Sequence, residues 1–136
     1  MSLFGALGIS ASGMSAERLR MDVIAENLAN ANTTKGADGK PYQRKEVLLQ
    51  EAQGQSFGDV LAGVKVAGIS NDPSPLKKVY DPGHPDADAQ GNVTMPNVNP
   101  VTEMVDLITA SRSYEADTQA MNTAKQMYTK ALDIIR

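Results

Sequence analysis

The sequence has no cysteine, no tryptophan and one histidine, and aromatic residues make up only 4% of its 136 positions. Without thiols there is no disulfide or thiolate chemistry, and the chain suits an oxidising or a reducing compartment equally. The hydrophobic share of 41% leans on Ala and Met with no Trp to anchor a centre. Such side chains bury little area each, so helices packed through them make a thin interface and further burial is expected from neighbouring molecules. A formal charge of −3, with charges spread along the chain, offers no basic patch for nucleic-acid phosphates or an anionic membrane surface. No stretch approaches the ~18 apolar residues of a membrane span. The opening MSLFGALGISASGM also lacks the basic start and unbroken apolar run of a secretory signal. Nucleic acid and membrane insertion are therefore disfavoured, and any export is expected to retain the N-terminus.

Catalysis has no constellation to rest on. His84 sits between Gly83 and Pro85 in a turn-rich segment, and no serine occupies a Gly-x-Ser-x-Gly elbow. GADGK, Gly36 to Lys40, lacks the spacing and strand-to-helix setting of a phosphate-cradling loop. The reading is a protein that is not an enzyme, with no catalytic residues and no cofactor. One stretch imitates a metal site: Asp86, Asp88, Gln90 and Gly91 copy the opening of an EF-hand loop, with Val93 at its eighth position. Position twelve is Asn97, where a bidentate glutamate is needed, and prolines stand where flanking helices belong. An Asp-rich turn whose side chains bond backbone N–H groups is the preferred reading, and no metal is assigned.

What the sequence does have is helix at both ends. From Leu107, apolar or small residues recur in alternating steps of four and three: Leu107, Ala110, Tyr114, Asp117, Met121, Ala124, Tyr128, Ala131 and Ile135. Asp117 is the one polar notch. Asn99 serves as N-cap, Pro100 takes the first helical position, and Glu103 and Asp106 lie near the positive end of the dipole. A second seam, Leu7, Ala11, Met14, Arg18, Met21, Ala25 and Leu28, runs through Leu3 to about Ala31, widened by Leu19, Val23 and Ile24. Gly5, Gly8 and Gly13 weaken its first part, with Ser10 and Ser12 available to cap a later start, so this end is expected to order only when packed. Arg18 and Asp117, the charged interruptions of the two seams, either face each other and set the register or point to solvent or a neighbour.

Between the helices the period changes. Tyr42–Glu51 and Val64–Ile69 read as two strands joined by a polar, Gly-containing connection from Ala52 to Gly58, and Leu76–Tyr80 and Val93–Met95 as two shorter ones. The fold class is mainly α with a small β insert. Long N- and C-terminal helices pair antiparallel as a coiled-coil-like domain (1–32 and 99–136) around a β-hairpin-rich middle segment (33–98) whose exposed edges ask for cover.

Three passages carry a resemblance. ISASGMSAERLRMDVIAENLANANTT, from Ile9 to Thr34, contains an Asn-Leu-Ala-Asn-x-x-Thr core as Asn27, Leu28, Ala29, Asn30, Ala31, Asn32 and Thr33. It resembles the N-terminal signature of the axial proteins of the bacterial flagellum. The stretches Tyr80 to Leu107 and Ser111 to Leu132 resemble the proximal rod proteins among them; residues 51–63 carry no resemblance. The resemblance implies a structural subunit of the basal-body rod, the axle that crosses the periplasm and transmits torque, exported by the flagellar type III apparatus. Implied partners are copies of itself, other rod proteins, and basal ring and export-gate components. The helical ends would form an inner layer through Leu7, Met14, Met21, Leu28, Leu107, Tyr114, Met121, Tyr128 and Ile135, with the Asn-rich motif where helix and insert meet. The alternative is a helical adaptor that pairs with another coiled coil.

Overall fold

The computed structural model describes residues 3–52 and 63–134; Ile135 and most of the 52–58 connection lie outside the described residues. Helix α1 spans Leu3–Ala29 and helix α2 spans Pro100–Ile134, with strands β1 (Lys45–Glu51), β2 (Val64–Asn71), β3 (Lys77–Tyr80) and β4 (Asn92–Met95) between them. At ~1.5 Å per residue α2 is ~52 Å long and α1 ~40 Å, so α2 outreaches its partner.

The start of α2 follows its sequence signals. Asn99 Oδ1 accepts the Val101 N–H at 3.1 Å and the Asn99 carbonyl accepts the Glu103 N–H at 3.0 Å. Four threonines that would otherwise compete for the backbone turn their hydroxyls onto carbonyls four residues earlier, as Thr118 does to Tyr114 at 2.8 Å and Thr123 to Gln119 at 2.9 Å. At the other end of the insert, α1 is stopped by Asn30, whose backbone and side-chain N–H groups both donate to the Glu26 carbonyl.

The two helices run antiparallel, because Asn27 meets Glu103 while Gly13 and Met14 meet Asp117 and Thr118. Ala16, Val23, Ile24, Ala110 and Ala124 are buried. Helix α1 begins at Leu3, where its sequence pattern begins, so Ser12 does not cap a later start but lies inside the helix, donating to the Ile9 carbonyl at 2.7 Å. Each helix covers the other, and a polar junction fixes their register. The phase of α1 differs from the counted one. Its most buried residues are Ala16, Val23, Ile24 and Asn27, whereas the counted line has Leu7, Met14, Met21 and Leu28 half-buried and Ala11, Arg18 and Ala25 exposed. Heptad counting followed the large residues, while the helices approach where side chains are small. A Cβ at Gly13 would lie 2.5 Å from Asp117 Oδ2.

The insert is two separate antiparallel hairpins, β1–β2 and β3–β4. Lys45 pairs with Asn71 and Glu51 with Val64; the register shifts between Leu48, opposite Gly68, and Leu49, opposite Val66, which leaves Ala67 as the bulged residue. In the second hairpin Lys77 pairs with Met95 and Tyr80 with Asn92. Hairpin β1–β2 packs on α1 through both strands.

Candidate functional site

The region that organises the molecule is a buried polar junction where the C-terminal end of α1, the first turn of α2 and the mouth of hairpin β1–β2 meet. Asn27 is 1% exposed and uses all the hydrogen-bonding capacity of its carboxamide. Its Oδ1 accepts the Lys45 N–H at 2.9 Å and the Tyr42 hydroxyl at 2.8 Å; its Nδ2 donates to the Lys45 carbonyl at 2.9 Å and to Glu103 Oε2 at 3.0 Å. The two bonds to Lys45 copy a strand pairing. They satisfy the outward-facing backbone groups of β1's first residue, which an edge strand would otherwise leave open.

Glu103 is 0% exposed, which demands a counter-charge. Arg44 supplies it, with Nε 2.6 Å from Glu103 Oε1, and its other nitrogens reach Glu46, Asp72 and Asp106. Burial alone would lower the Arg44 pKa, but the hydrogen bond and charge of Glu103, then those of Glu46, outweigh it and the pKa rises. Tyr42 is pushed up to about 12, chiefly by burial and then by the charges of Glu26 and Glu103. Hydrogen bonds from the Ser74 side chain and backbone hold the Asp72 carboxyl below its usual range, with Arg44 adding to them. Asn97 closes the junction from the far side: Oδ1 accepts the Arg44 N–H at 2.8 Å and Nδ2 donates to the Ser74 carbonyl at 3.1 Å. Every member holds another in place, and the arrangement fixes geometry; the groups converge on each other, with a cleft of about 280 Å³ opening beside Asn27, Arg44 and Lys45.

The axial motif thus divides its labour. Asn27 is the hub, Asn30 caps α1, and Thr33 links the two: its hydroxyl bonds Asn30 Oδ1 at 3.2 Å and its carbonyl accepts the Tyr42 N–H at 3.1 Å. Leu28 is half-buried, and Ala29 and Asn32 are exposed. Arg44, Glu103, Tyr42 and Asn97 were not singled out as site residues from sequence. One signal did exist for Glu103, since a further step of four back from Leu107 along the α2 seam lands on it.

The Asp-rich segment is a turn. Asp88 Oδ1 accepts the Gln90 N–H at 2.9 Å and the Asn92 N–H at 2.8 Å, and these backbone bonds, Asn92 first, hold its pKa below the usual carboxylate range. Gly91 takes the left-handed backbone (φ 79°) that closes it. His84 Nδ1 accepts the Asp86 N–H at 3.1 Å, and Thr34 reaches Asp86 Oδ2 at 2.8 Å to tie this hairpin to the loop after α1.

Along the helices, Leu107, Tyr114 and Met121 are half-buried, Ala110 and Ala124 buried, and Tyr128 exposed. Arg18 and Asp117 do not pair: Arg18 is exposed, and Asp117 lies over Gly13 on the helix–helix face. The outer face of α2 shows Val101, Met104, Val105 and Ile108, an i, i+3, i+4, i+7 line with each residue 50–70% exposed. No described helix is long and apolar enough to cross a membrane.

These elements coincide with known families. Residues 7–37, α1 with the Asn motif and its loop, match the family described as "Flagella basal body rod protein". Residues 89–134, β4 with α2, match "Flagellar basal body rod FlgEFG protein C-terminal". The flagellar basal-body rod protein FlgC of Bacillus subtilis is 48% identical over 98% of this chain and 99% of its own. FlgC of Borreliella burgdorferi is 42% identical over 100% and 99%, and that of Salmonella typhimurium 46% over 98% of each. With such identity over nearly the full length of both partners, the chain belongs to the FlgC family of flagellar basal-body rod proteins.

Proposed function

We propose that this chain is a structural subunit of the bacterial flagellar basal-body rod, one that assembles through its terminal helices while the junction holds the β insert at a set angle to them. The observation that carries the reading is the Val101–Met104–Val105–Ile108 line, a large apolar face that a two-helix layer leaves in water. A helix pair with no third layer gains its missing burial from neighbours, and neighbours repeated along an axis make a rod. The counted seam of α1, with Leu7, Met14, Met21 and Leu28 half-buried beside the α2 contact, is the second surface we assign to such neighbours, and Tyr114, Met121 and Tyr128 continue it on α2. Copies of this chain, other rod proteins, and basal ring and export-gate components are the partners this role requires. Many such contacts loaded together would transmit torque across the periplasm, and ends that complete their packing only against neighbours suit passage of the unfolded chain through a narrow export channel.

The test is complementation of a strain lacking the protein, read by imaging of basal bodies. Loss of rod, hook and filament, restored by the intact chain but not by a variant with Val105 and Ile108 both changed to Ser, is the expected result. A strain that completes its axle without the protein would instead indicate the helical adaptor.

A further inference from the structure

A two-stranded hairpin has two outer edges, and along each of them every second residue points its N–H and C=O away from the partner strand. In β1 the Arg44 carbonyl accepts the Asp72 N–H and the Ala52 N–H donates to the Gly63 carbonyl, so the even-numbered residues face β2 and Lys45, Val47, Leu49 and Glu51 face outward. Asn27 covers Lys45 as a neighbouring strand would. Val47 and Leu49 come next along this edge, and nothing among the described residues bonds their outward groups. Both border the cleft of about 280 Å³ beside the junction, where Val23 and Ile24 are buried. The second hairpin has an open edge of the same length. The Asp81 N–H donates to the Gly91 carbonyl, so Val79 and Lys77 bond β4 while Lys78 and Tyr80 face outward. All four residues of β3 are exposed, and β3 packs on no described helix or strand other than β4. Each edge thus offers two donors and two acceptors at matching spacing. Leu48 and Leu49 on one and Val79 and Tyr80 on the other are 41–72% exposed. Their charges are opposite: β1 carries Glu46 and Glu51, with Asp106 at the cleft, and β3 opens with Lys77 and Lys78.

We propose that the β1 edge of one copy takes the β3 edge of a second copy, antiparallel, with Val47 opposite Tyr80 and Leu49 opposite Lys78, so that two hairpins become one four-stranded sheet shared between copies. Leu48 then lies opposite Val79, Lys78 reaches Glu51 on the diagonal, and Asp81 comes opposite Glu46, whose charge Arg44 already balances. Because two different edges meet, every copy keeps one edge for the next, and the contacts close into a ring or continue as a helix. This surface is separate from the apolar face of α2 and does not depend on that face building a rod. The test mixes two full-length chains, one with Leu48→Cys and one with Val79→Cys, under mild oxidation; the native chain has no cysteine to interfere. In the proposed pairing the two positions form a non-hydrogen-bonded pair with Cα atoms about 4.5 Å apart, which a disulfide accepts. The mixed disulfide is expected to exceed the two same-site disulfides together by at least about five-fold, where random collision makes them equal. Leu49→Pro removes an outward N–H and no bond within the hairpin, so the mixed product falls about ten-fold while the unfolding midpoint holds. Lys78→Glu, an exposed charge reversal, lowers it several-fold. With Val105→Ser and Ile108→Ser added, the preference for the mixed disulfide persists, which separates a failure of the helical face from a failure of the edges. A mixed product no more abundant than the same-site ones overturns the proposal, as does a preference that survives Lys78→Glu in full or vanishes with the α2 face.

Discussion

The two ends of the helix pair are built on opposite terms. At the junction, α1 and α2 meet through groups that are polar, buried and saturated: Asn27 makes four hydrogen bonds, and Glu103 is fully enclosed against Arg44. At the far end the helices meet through glycine and alanine, and Met127, Tyr128 and Leu132 face outward. Polar contacts of this kind are directional and contribute little net energy unless complete, whereas small apolar contacts are forgiving and weak. One end therefore specifies geometry, and the other leaves affinity to be supplied from outside.

The comparison breaks most severely at Glu103. Glu103→Ala is expected to cost about 3 kcal/mol in urea unfolding, because Arg44 Nε and Asn27 Nδ2 both lose their buried acceptor although Arg44 keeps Glu46, Asp72 and Asp106. Asn27→Ala is next, at about 2 kcal/mol, since the Lys45 backbone groups lose their cover together. Tyr42→Phe costs about 1 kcal/mol near neutral pH, as Asn27 Oδ1 keeps its bond from Lys45. It also removes an alkaline signature. Folding raises the Tyr42 pKa to about 12 from the usual 10, so its stabilisation is complete below pH 10 and is lost as pH rises through 12, a step the Phe variant lacks. At the acid end, Asp72 and Asp88 are held low; their contribution is present above the ordinary carboxylate pKa of ~4 and fades as pH falls below it.

At the far end, Gly13→Ala gains about 1 kcal/mol of helix propensity but must displace Asp117, so the gain appears in full only in an Asp117→Ala background, as a double-mutant cycle will show. The smallest effect on folding is expected on the outer face. Val105→Ser with Ile108→Ser leaves the unfolding free energy of the monomer within about 0.5 kcal/mol of the parent, and its whole consequence falls on assembly.

Legibility followed the same division. The Asn99–Pro100 start of α2, the four strands and the stop after Asn30 were readable because caps, alternation and turn residues act locally. The junction was not, because its members are distant in sequence and each had a bland local meaning: Glu103 looked like a dipole partner and Arg44 like one charge of a strand. The α1 phase was misjudged for a related reason. Close helix approach is signalled by what is missing from a side chain, at Gly13 and Ala16, and by a buried asparagine that hydropathy scores as surface. Asp117, read as a possible mate for Arg18, occupies the space that Gly13 leaves.

The one-sided fastening of the helices has a mechanical corollary. Beyond Ala124, its last buried position among the described residues, α2 runs about 15 Å further to its last described turn, with Met127, Tyr128 and Leu132 exposed, while its root is clamped at Glu103. A cantilever of that shape deflects most at its tip under a side load, and its stiffness is set by whatever props the tip. Rigidity in such a subunit is thus a collective quantity, small in one copy and conferred by the packing around it.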